Sequence, residues 1–352
     1  MKFYFLLSVI LVITACDDAD LPRDAFLPEA NGQHGEIFIL MENNLWNGDI
    51  GKAVKENLSR RAEGPYLRAE PMFNFIQKTS DGFNHVNQMN RNILKFMIDY
   101  DSTYAETAVI ELENYYAKSQ IFIVVKDSDP NRLIDFAKNK MDPIIDRFNE
   151  FELNQLIRTY KSESNKRVKE LAENKFHISI SVPKKAKIKF EADNFLLIKR
   201  DRSKNLMGNE STGAKGGTFW VQQGFMIWTD PYFADSNQLT ITNVLKNRDT
   251  ILKYNVPGSS KDTYMGTEYS EYYEPEGKVF SYKGHQAVEI RGLWKYKGEG
   301  FASGGGPFMQ YSILNEANNE IVTVCGYVYG PKYDKREFIR ELEAVLNTIE
   351  IK

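Results

Sequence analysis

Cys16 is the residue whose surroundings predict the most specific chemistry in this chain. Lys2 is followed by an apolar run over residues 3–13, and the small residue Ala15 directly precedes the cysteine. A basic start, a short apolar core and a small residue before the cut are typical of an export signal. With a cysteine immediately after the cut, they predict a lipoprotein signal peptide over residues 1–15. The Cys16 thiol would then carry diacylglycerol, and its new amine a fatty acid such as palmitate.

A lipid anchor explains this start better than a membrane-spanning helix or an incidental cysteine. A spanning helix needs about 20 apolar residues, and the run over residues 3–13 is too short. Acyl chains contribute about 0.8 kcal/mol per buried methylene, so about three of them hold a protein firmly. The sequence therefore predicts a cell-envelope lipoprotein, anchored in the outer membrane. Asp17, Asp18 and Asp20 leave the membrane face open, because they suit either a surface-export signal or an acidic tether.

The charge balance argues against a nucleic-acid partner. Without residues 1–15 the chain keeps 48 acidic and 44 basic residues, a net charge of −4. Domains that bind nucleic acid or anionic lipid by charge carry basic patches. We therefore expect membrane contact through the lipid on Cys16 and no nucleic-acid partner.

Cys325 is the second and last cysteine of the chain. It cannot form an intramolecular disulfide once Cys16 carries lipid. Its neighbours over residues 321–329 are apolar or β-branched, which is typical of a strand. The sequence predicts that Cys325 is a small buried residue rather than a reactive thiol.

The pattern of apolar residues predicts an α+β chain with two domains. Residues 16–34 hold the lipidated cysteine and few large apolar groups, and we expect a flexible tether there. An N-terminal α+β domain follows over 35–174 and a C-terminal α+β domain over 175–352. In each we expect a mainly antiparallel sheet with helices packed on one side. The similar order of elements suggests an internal duplication, although no residue-by-residue repeat is visible.

Several elements can be placed from periodicity and capping residues. A buried strand is expected at 35–41, a helix from Asp49 and a central strand at 120–125. Two helices or one bent helix should follow Asp129, because Pro143 interrupts the helical periodicity. The second half should be rich in strands. It should also contain helices at 240–254 and 334–348 and a terminal edge strand at 349–351.

Five segments together resemble a family of Bacteroidetes lipoproteins described as a domain of unknown function. They span residues 35–41, 46–49, 304–308, 326–336 and 342–346. The resemblance covers most of the chain after the signal and implies a Gram-negative envelope lipoprotein. It brings no activity, cofactor or catalytic residue. The second domain also resembles, more distantly, the α/β/α sandwich of PsbP and Mog1 proteins.

The usual signatures of metal and nucleophilic sites do not occur. The four histidines, His34, His85, His177 and His285, are scattered without metal-ligand spacing. The glycine-rich run at 298–306 precedes a strand-like segment, whereas a phosphate-binding loop precedes a helix. It is better interpreted as a hairpin connection. We expect no catalytic residue, no metal and no cofactor.

Aromatic side chains are the remaining lead to a binding site. The chain has 45 Phe, Trp and Tyr residues, and exposed rings beside loops bind glycans and peptides at little entropic cost. The candidate binding surface consists of Trp220, Trp228, Tyr232, Trp294 and Phe301. The alternative is that these rings fill a strand-rich core.

These observations favour a non-catalytic binding or assembly-support module that contacts a protein or a glycan. One alternative is an envelope hydrolase whose carboxylates meet only in the fold, and another is a passive spacer. A binding module should expose an aromatic groove. A hydrolase should show a pocket that holds two or more titratable groups with shifted pKa values.

The substitution Cys16→Ala tests the anchor. It removes the acylated thiol, so the protein should move from the membrane fraction to the soluble fraction after cell lysis. Fractionation and immunoblotting of a C-terminally tagged chain measure this. Cys325→Ala is the matched control and should stay with the membrane; membrane retention of the Cys16→Ala chain would contradict lipid anchoring.

Overall fold

The structure is a computed structural model that describes residues 26–62, 64, 69–206, 217–234, 237–331 and 333–352. The predicted lipidation site Cys16 and the acidic residues Asp17, Asp18 and Asp20 lie outside these ranges. Within them the chain is mixed α and β, with three sheets. The α+β class predicted from the sequence is confirmed.

Over its described residues the N-terminal unit contains five strands and five helices, with a 3-10 turn at Ser80–Gly82. The elements are β1 (Glu36–Leu40), α1 (Asn43–Trp46), α2 (Asp49–Leu58), β2 (Asn74–Lys78), α3 (His85–Gln88), β3 (Asn92–Ile98), β4 (Ala108–Glu113), β5 (Ile121–Asp127), α4 (Pro130–Asn139) and α5 (Asp142–Ser162). As expected, α4 and α5 are separate helices, and Pro143 lies in the first turn of α5, where a missing N–H costs nothing.

The sheet of this unit is mainly parallel, so the predicted antiparallel arrangement is wrong here. Its strand order is β2-β1-β3-β5-β4, and only the β4–β5 pair is antiparallel. The connection from β1 to β2 runs through helix α2, and a connection of that length lets the chain return in the same direction. Strands β1 and β5 are covered on both faces over residues 37–40 and 121–125, and these stretches are apolar, as is typical of parallel strands.

Helices cover one face of this sheet, as the sequence predicted. The main core joins residues of β1, β3 and β5 to α2, α4 and α5, with Val54, Leu133 and Phe148 fully buried. A smaller cluster on the opposite face packs Phe38 and Phe122 against Phe83 and is covered by loops.

The C-terminal unit contains the remaining helices and strands. They are α6 (Lys166–Phe176), β6 (Ile178–Ser179), β7 (Lys187–Glu191), β8 (Phe195–Leu206), β9 (Gly217–Pro231), α7 (Ile241–Asn255), β10 (Thr263–Thr267), β11 (Glu276–Tyr282), β12 (His285–Gly298), β13 (Gly305–Asn315), β14 (Glu320–Tyr329), α8 (Arg336–Leu346) and β15 (Glu350–Ile351). The predicted terminal edge strand is β15, which pairs with β6.

An antiparallel sheet of eight strands forms the centre of this unit. Its order is β10-β12-β13-β14-β9-β8-β7, and β11 also pairs with β12. Helices α6 and α8 cover one face through residues such as Phe176 and Leu342. Helix α7 covers the other face through Val244 and Leu252. Helices therefore lie on both faces, which corrects the prediction of helices on one side.

Two further expectations about the domains are corrected. Helix α6 packs through Val168, Ala172 and Phe176 into the C-terminal core, so the two cores divide near residue 163 rather than at 174. The two sheets also differ in strand direction and order, and the fold therefore gives no support to an internal duplication.

Helix α5 belongs to both cores. Phe148 and Phe151 in its first half are buried against the parallel sheet. Leu156 and Tyr160 in its second half are buried in the C-terminal core. Because an α-helix is stiff over this length, one 21-residue element sets the position of the two units.

Glu70 ties the two units together at the start of helix α8. Its carboxylate accepts hydrogen bonds from the backbone N–H groups of Lys335 (2.7 Å) and Arg336 (2.7 Å). The N-cap residue of α8 is Lys335, whose side chain offers no acceptor, so the cap comes from the other unit. The Arg336 guanidinium in turn donates to the carbonyl oxygen of Pro71 at 2.5 Å. A buried carboxylate at a helix N-terminus is favoured by both hydrogen bonding and the helix dipole.

Residues 28–34 are docked on the N-terminal unit, which corrects the predicted end of the tether at residue 34. Ala30 donates its N–H to Lys118 (3.0 Å), and Asn31 donates to Met89 (2.8 Å). His34 contacts the Glu152 carboxylate on α5. The docked part of the chain therefore begins at residue 28.

Glu152 is almost fully buried where this segment meets α5. Burial alone would raise the pKa of its carboxyl group, but the contacts with His34 and Asn92 outweigh it and lower the pKa. Asn92 Nδ2 donates to Glu152 Oε1 at 2.5 Å.

No helix within the described ranges has the length and apolar character needed to cross a bilayer.

The substitution Glu70→Ala tests the inter-unit cap. It leaves two buried N–H groups at the start of α8 without their acceptor, so the free energy of unfolding should fall by about 2 kcal/mol. Urea unfolding followed by circular dichroism measures the change. Glu56→Ala, an exposed position on α2, is the control; equal effects of the two substitutions would contradict the capping role.

Candidate functional site

The structure divides the five aromatic residues predicted to form a binding surface. Trp228 is 0% and Trp294 is 2% exposed, and both pack in the core under α7. Their indole N–H groups are satisfied internally: Trp228 donates to Asn247 Oδ1 (3.0 Å) and Trp294 to the Val328 carbonyl (3.1 Å). These two residues therefore fill a strand-rich core, which was the alternative to a binding surface. The reason is that alternate side chains of β9 and β12 face the layer that α7 covers.

The other three predicted residues are accessible but dispersed. Trp220 is half exposed and contacts Tyr329, with 5.6 Å between ring centroids. Phe301 is exposed in the loop between β12 and β13, and Tyr232 is half-buried after β9. The five residues, all within the described ranges, therefore do not form one surface.

Two predictions about neighbouring segments are confirmed. The glycine-rich run connects the antiparallel strands β12 and β13 and is a hairpin connection. Cys325 is fully buried in β14, where burial raises the pKa of its thiol and the nearby Arg248 guanidinium only partly offsets that effect. A buried thiol with a raised pKa is a poor nucleophile.

An open groove of about 590 Å³ lies between helix α7 and strand β10. We call it the tyrosine groove. It is lined by Thr242, Leu245, Lys246, Asp249, Thr250, Lys253, Tyr254, Tyr264, Tyr269 and Lys297.

Helix α7 supplies one wall because its two faces have different roles. Val244, Arg248 and Leu252 point into the core. Lys246 and Lys253, two turns apart, lie on the face that borders the groove. Thr240 begins the helix by accepting a hydrogen bond from the Asn243 N–H at 3.4 Å.

The opposite wall comes from β10, the loop after it and the paired strand β12. Lys297 is opposite Tyr264 in the β10–β12 register. Its side chain crosses β10 at Gly266, where a Cβ atom would lie 2.6 Å from Lys297 Cδ. Its ammonium group ends 4.9 Å from the ring centroid of Tyr269. Gly266 thus makes room for this cation–π contact.

The three tyrosines of the groove differ in exposure. Tyr254, at the end of α7, is 76% exposed, and Tyr269 is 47% exposed. Tyr264 is half-buried. The Lys253 ammonium lies near both neighbouring rings, 5.8 Å from the Tyr254 centroid and 5.9 Å from the Tyr264 centroid. Aromatic rings and ammonium groups therefore alternate across the groove.

A hydrogen-bond network at the edge of the groove fixes Tyr269. Its hydroxyl donates to Asp249 Oδ2 at 2.8 Å, and Asp249 Oδ1 accepts from Thr267 N (2.9 Å) and Oγ1 (2.6 Å). Burial, assisted by the Asp249 carboxylate, raises the pKa of Tyr269 to about 12. The phenol therefore stays neutral at physiological pH.

Arg248 contacts this network from the buried side of helix α7. It is fully buried, donates from Nη1 to Thr267 Oγ1 at 2.5 Å and lies 3.7 Å above the ring centroid of Phe308. A charged group in such a position is tolerated when hydrogen bonds and an aromatic face compensate the loss of water. The groove floor is consequently built on fixed elements.

The groove offers binding groups rather than a pair of catalytic acids. Asp249 is the one carboxylate among its described lining residues, and both of its oxygens accept hydrogen bonds. Asp230, whose pKa is raised by burial, lies on β9 outside this lining and bonds to Asn247. The described residues contain no cluster of three His, Cys, Asp or Glu side chains that could hold a metal ion.

A second cleft lies where the two units meet and is lined by Arg61, Glu276, Lys278, Glu289 and Arg291. Its Glu289 carboxylate is paired with cations. Arg291 Nε contacts Glu289, and Arg291 Nη2 donates to Glu343 Oε1 at 3.0 Å. Lys278 Nζ lies 3.2 Å from the other oxygen of Glu289.

The residues of the tyrosine groove were missed in the sequence. Tyr269 lies in the acidic, tyrosine-rich stretch that follows strand β10, which ends at Thr267. Tyr254 is the last residue of the helix predicted at 240–254, where an exposed ring is a usable signal. Lys297 meets Tyr264 only through the strand register, which the sequence does not show.

The substitution Asp249→Asn tests the network. Removing the carboxylate should lower the pKa of Tyr269 from about 12, although burial should keep it above the ordinary value of about 10. Titration of ¹³C-labelled tyrosine by NMR measures it, with Tyr269→Phe to assign the signal. Asp262→Asn, an exposed position, is the control; an unchanged pKa in Asp249→Asn would contradict the network.

Comparison with known proteins gives two family matches. Residues 30–161 match a domain of unknown function (DUF8532), and residues 164–348 match another domain of unknown function (DUF4837). The two matches meet where the two hydrophobic cores divide. No curated protein matches the chain.

Two solved structures are distantly similar to this chain, in line with the resemblance predicted from the sequence. The solution structure of cyanobacterial PsbP (CyanoP) from Synechocystis sp. PCC 6803 is 10% identical, with a TM-score of 0.24, over 48% of this chain and 93% of that chain. The Saccharomyces cerevisiae Ran-binding protein Mog1p is 12% identical, with a TM-score of 0.29, over 50% of this chain and 90% of that chain. Since residues 164–348 are more than half of the 352 residues, this chain belongs to the family described as domain of unknown function (DUF4837).

Proposed function

We propose that this protein is a lipid-anchored, non-catalytic module of the cell envelope that binds a glycan in the tyrosine groove. The observation that carries the proposal is the meeting of Tyr254, Tyr264 and Tyr269 in one open groove. Rings of this kind supply contact area to sugar faces at a low cost in side-chain entropy.

The chemistry of the groove supports binding without turnover. Its carboxylate, Asp249, is engaged by Thr267 and Tyr269, so it is occupied as a structural acceptor. A glycosidase needs two carboxyl groups that flank the scissile bond. In the inter-unit cleft, Arg291 holds the carboxylates of Glu289 and Glu343.

The predicted anchor supports an envelope location for this module. Acylation at Cys16 would place the chain on the outer membrane, with residue 28 as the first docked position. The intervening dozen residues can span at most roughly 40 Å. A module held this close to the membrane is suited to contact surface or periplasmic glycans.

The double substitution Tyr254→Ala and Tyr264→Ala tests the groove. We expect the detergent-solubilised full chain to bind at least one soluble polysaccharide in affinity electrophoresis. The double variant should bind about 30-fold more weakly, because each of the two rings contributes about 1 kcal/mol. Tyr100→Ala, a 75% exposed tyrosine of the N-terminal unit, is the control. Unchanged binding in the double variant, or binding to no glycan at all, would contradict the proposal.

A further inference from the structure

We propose that the ligand of the tyrosine groove is an acidic glycan, whose carboxylate or sulfate groups pair with Lys246, Lys253 and Lys297. This inference rests on the proposed function and adds the chemical class of the ligand. It follows from the charge of the groove, which is opposite to that of the chain as a whole.

The three lysines of the groove are not neutralised by acidic neighbours. Among the described residues, none of the three lies within 4.0 Å of a carboxylate oxygen, unlike Lys295 at a neighbouring position of strand β12, which lies 2.6 Å from Glu268. The one acidic lining residue, Asp249, already accepts hydrogen bonds at both oxygens. The groove therefore carries a local excess of positive charge.

The amino-acid composition of the chain does not account for the positive charge of the groove. The full chain has a formal net charge of −3, so a groove with three cations and one carboxylate stands out from the average surface. A concave site lined by one sign of charge concentrates ligands of the opposite sign.

The spacing of the lysines suits a ligand longer than one sugar. Lys246 and Lys253 are two helical turns apart on α7, roughly 10 Å along its axis. Lys297 approaches from the opposite wall. An acidic oligosaccharide can stack its rings on the tyrosines and direct anionic groups to both walls.

An acidic glycan fits these groups better than a nucleic acid does. Single-stranded nucleic acid also needs rings and cations, but it is held by a continuous basic track along its backbone. Here the groove itself offers three lysines on two facing walls, and the chain as a whole is acidic. Nucleic acid is therefore an outcome for the test to exclude.

Matched pairs of polymers test this inference on the detergent-solubilised full chain. Polygalacturonate is compared with its methyl ester, and dextran sulfate with dextran, by isothermal titration calorimetry. We expect binding to at least one charged member, weaker as salt is added because ions screen exposed charges. The variant Lys253→Gln with Lys297→Gln should bind that member about five- to tenfold more weakly.

The control is Lys187→Gln with Lys189→Gln, two exposed lysines on β7 at the opposite edge of the sheet. It should bind as the unmodified chain does. Equal binding of charged and neutral members, or unchanged binding in Lys253→Gln with Lys297→Gln, would overturn this inference and leave the glycan-binding function standing. Comparable binding of oligo-dT would overturn it in favour of a general polyanion site. Binding to none of the four glycans would overturn both.

Discussion

Helix α5 is one stiff element buried in two hydrophobic cores, and the arrangement of the whole chain depends on it. Phe148 belongs to the core of the parallel sheet and Tyr160 to that of the antiparallel sheet. Rotating one unit against the other would expose half of this helix. It would also separate the Glu70 carboxylate from the N-terminus of α8 and leave buried polar groups without partners. The two units therefore form one framework, although each matches its own family.

Much of this fold could be predicted from the sequence, because periodicity and capping residues act locally. The break at Pro143 and the strand around Cys325 are examples. The predicted direction of the strands was wrong in the N-terminal unit, because an apolar run such as β5 suits a parallel or an antiparallel strand equally well. The cap on α8 could not be predicted, because Glu70 is more than 260 residues away from Arg336.

The candidate site shows the same division between local and long-range information. Tryptophans within strands were expected at a surface, but β9 and β12 lie inside a layered sheet, so Trp228 and Trp294 fill its core. The tyrosines of the groove come from a helix end, an edge strand and a loop. Their meeting depends on strand register and on Gly266, which leaves room for Lys297. Such features follow from tertiary packing and have no single sequence motif.

The central claim is that the tyrosine groove is where a ligand binds. NMR of the full chain labelled with ¹³C-tyrosine, titrated with the acidic oligosaccharide that binds best, tests it most directly. The account predicts shifts concentrated at Tyr254, Tyr264 and Tyr269, with Tyr100 unchanged. Shifts confined to tyrosines outside the groove, such as the 79% exposed Tyr272, would contradict it.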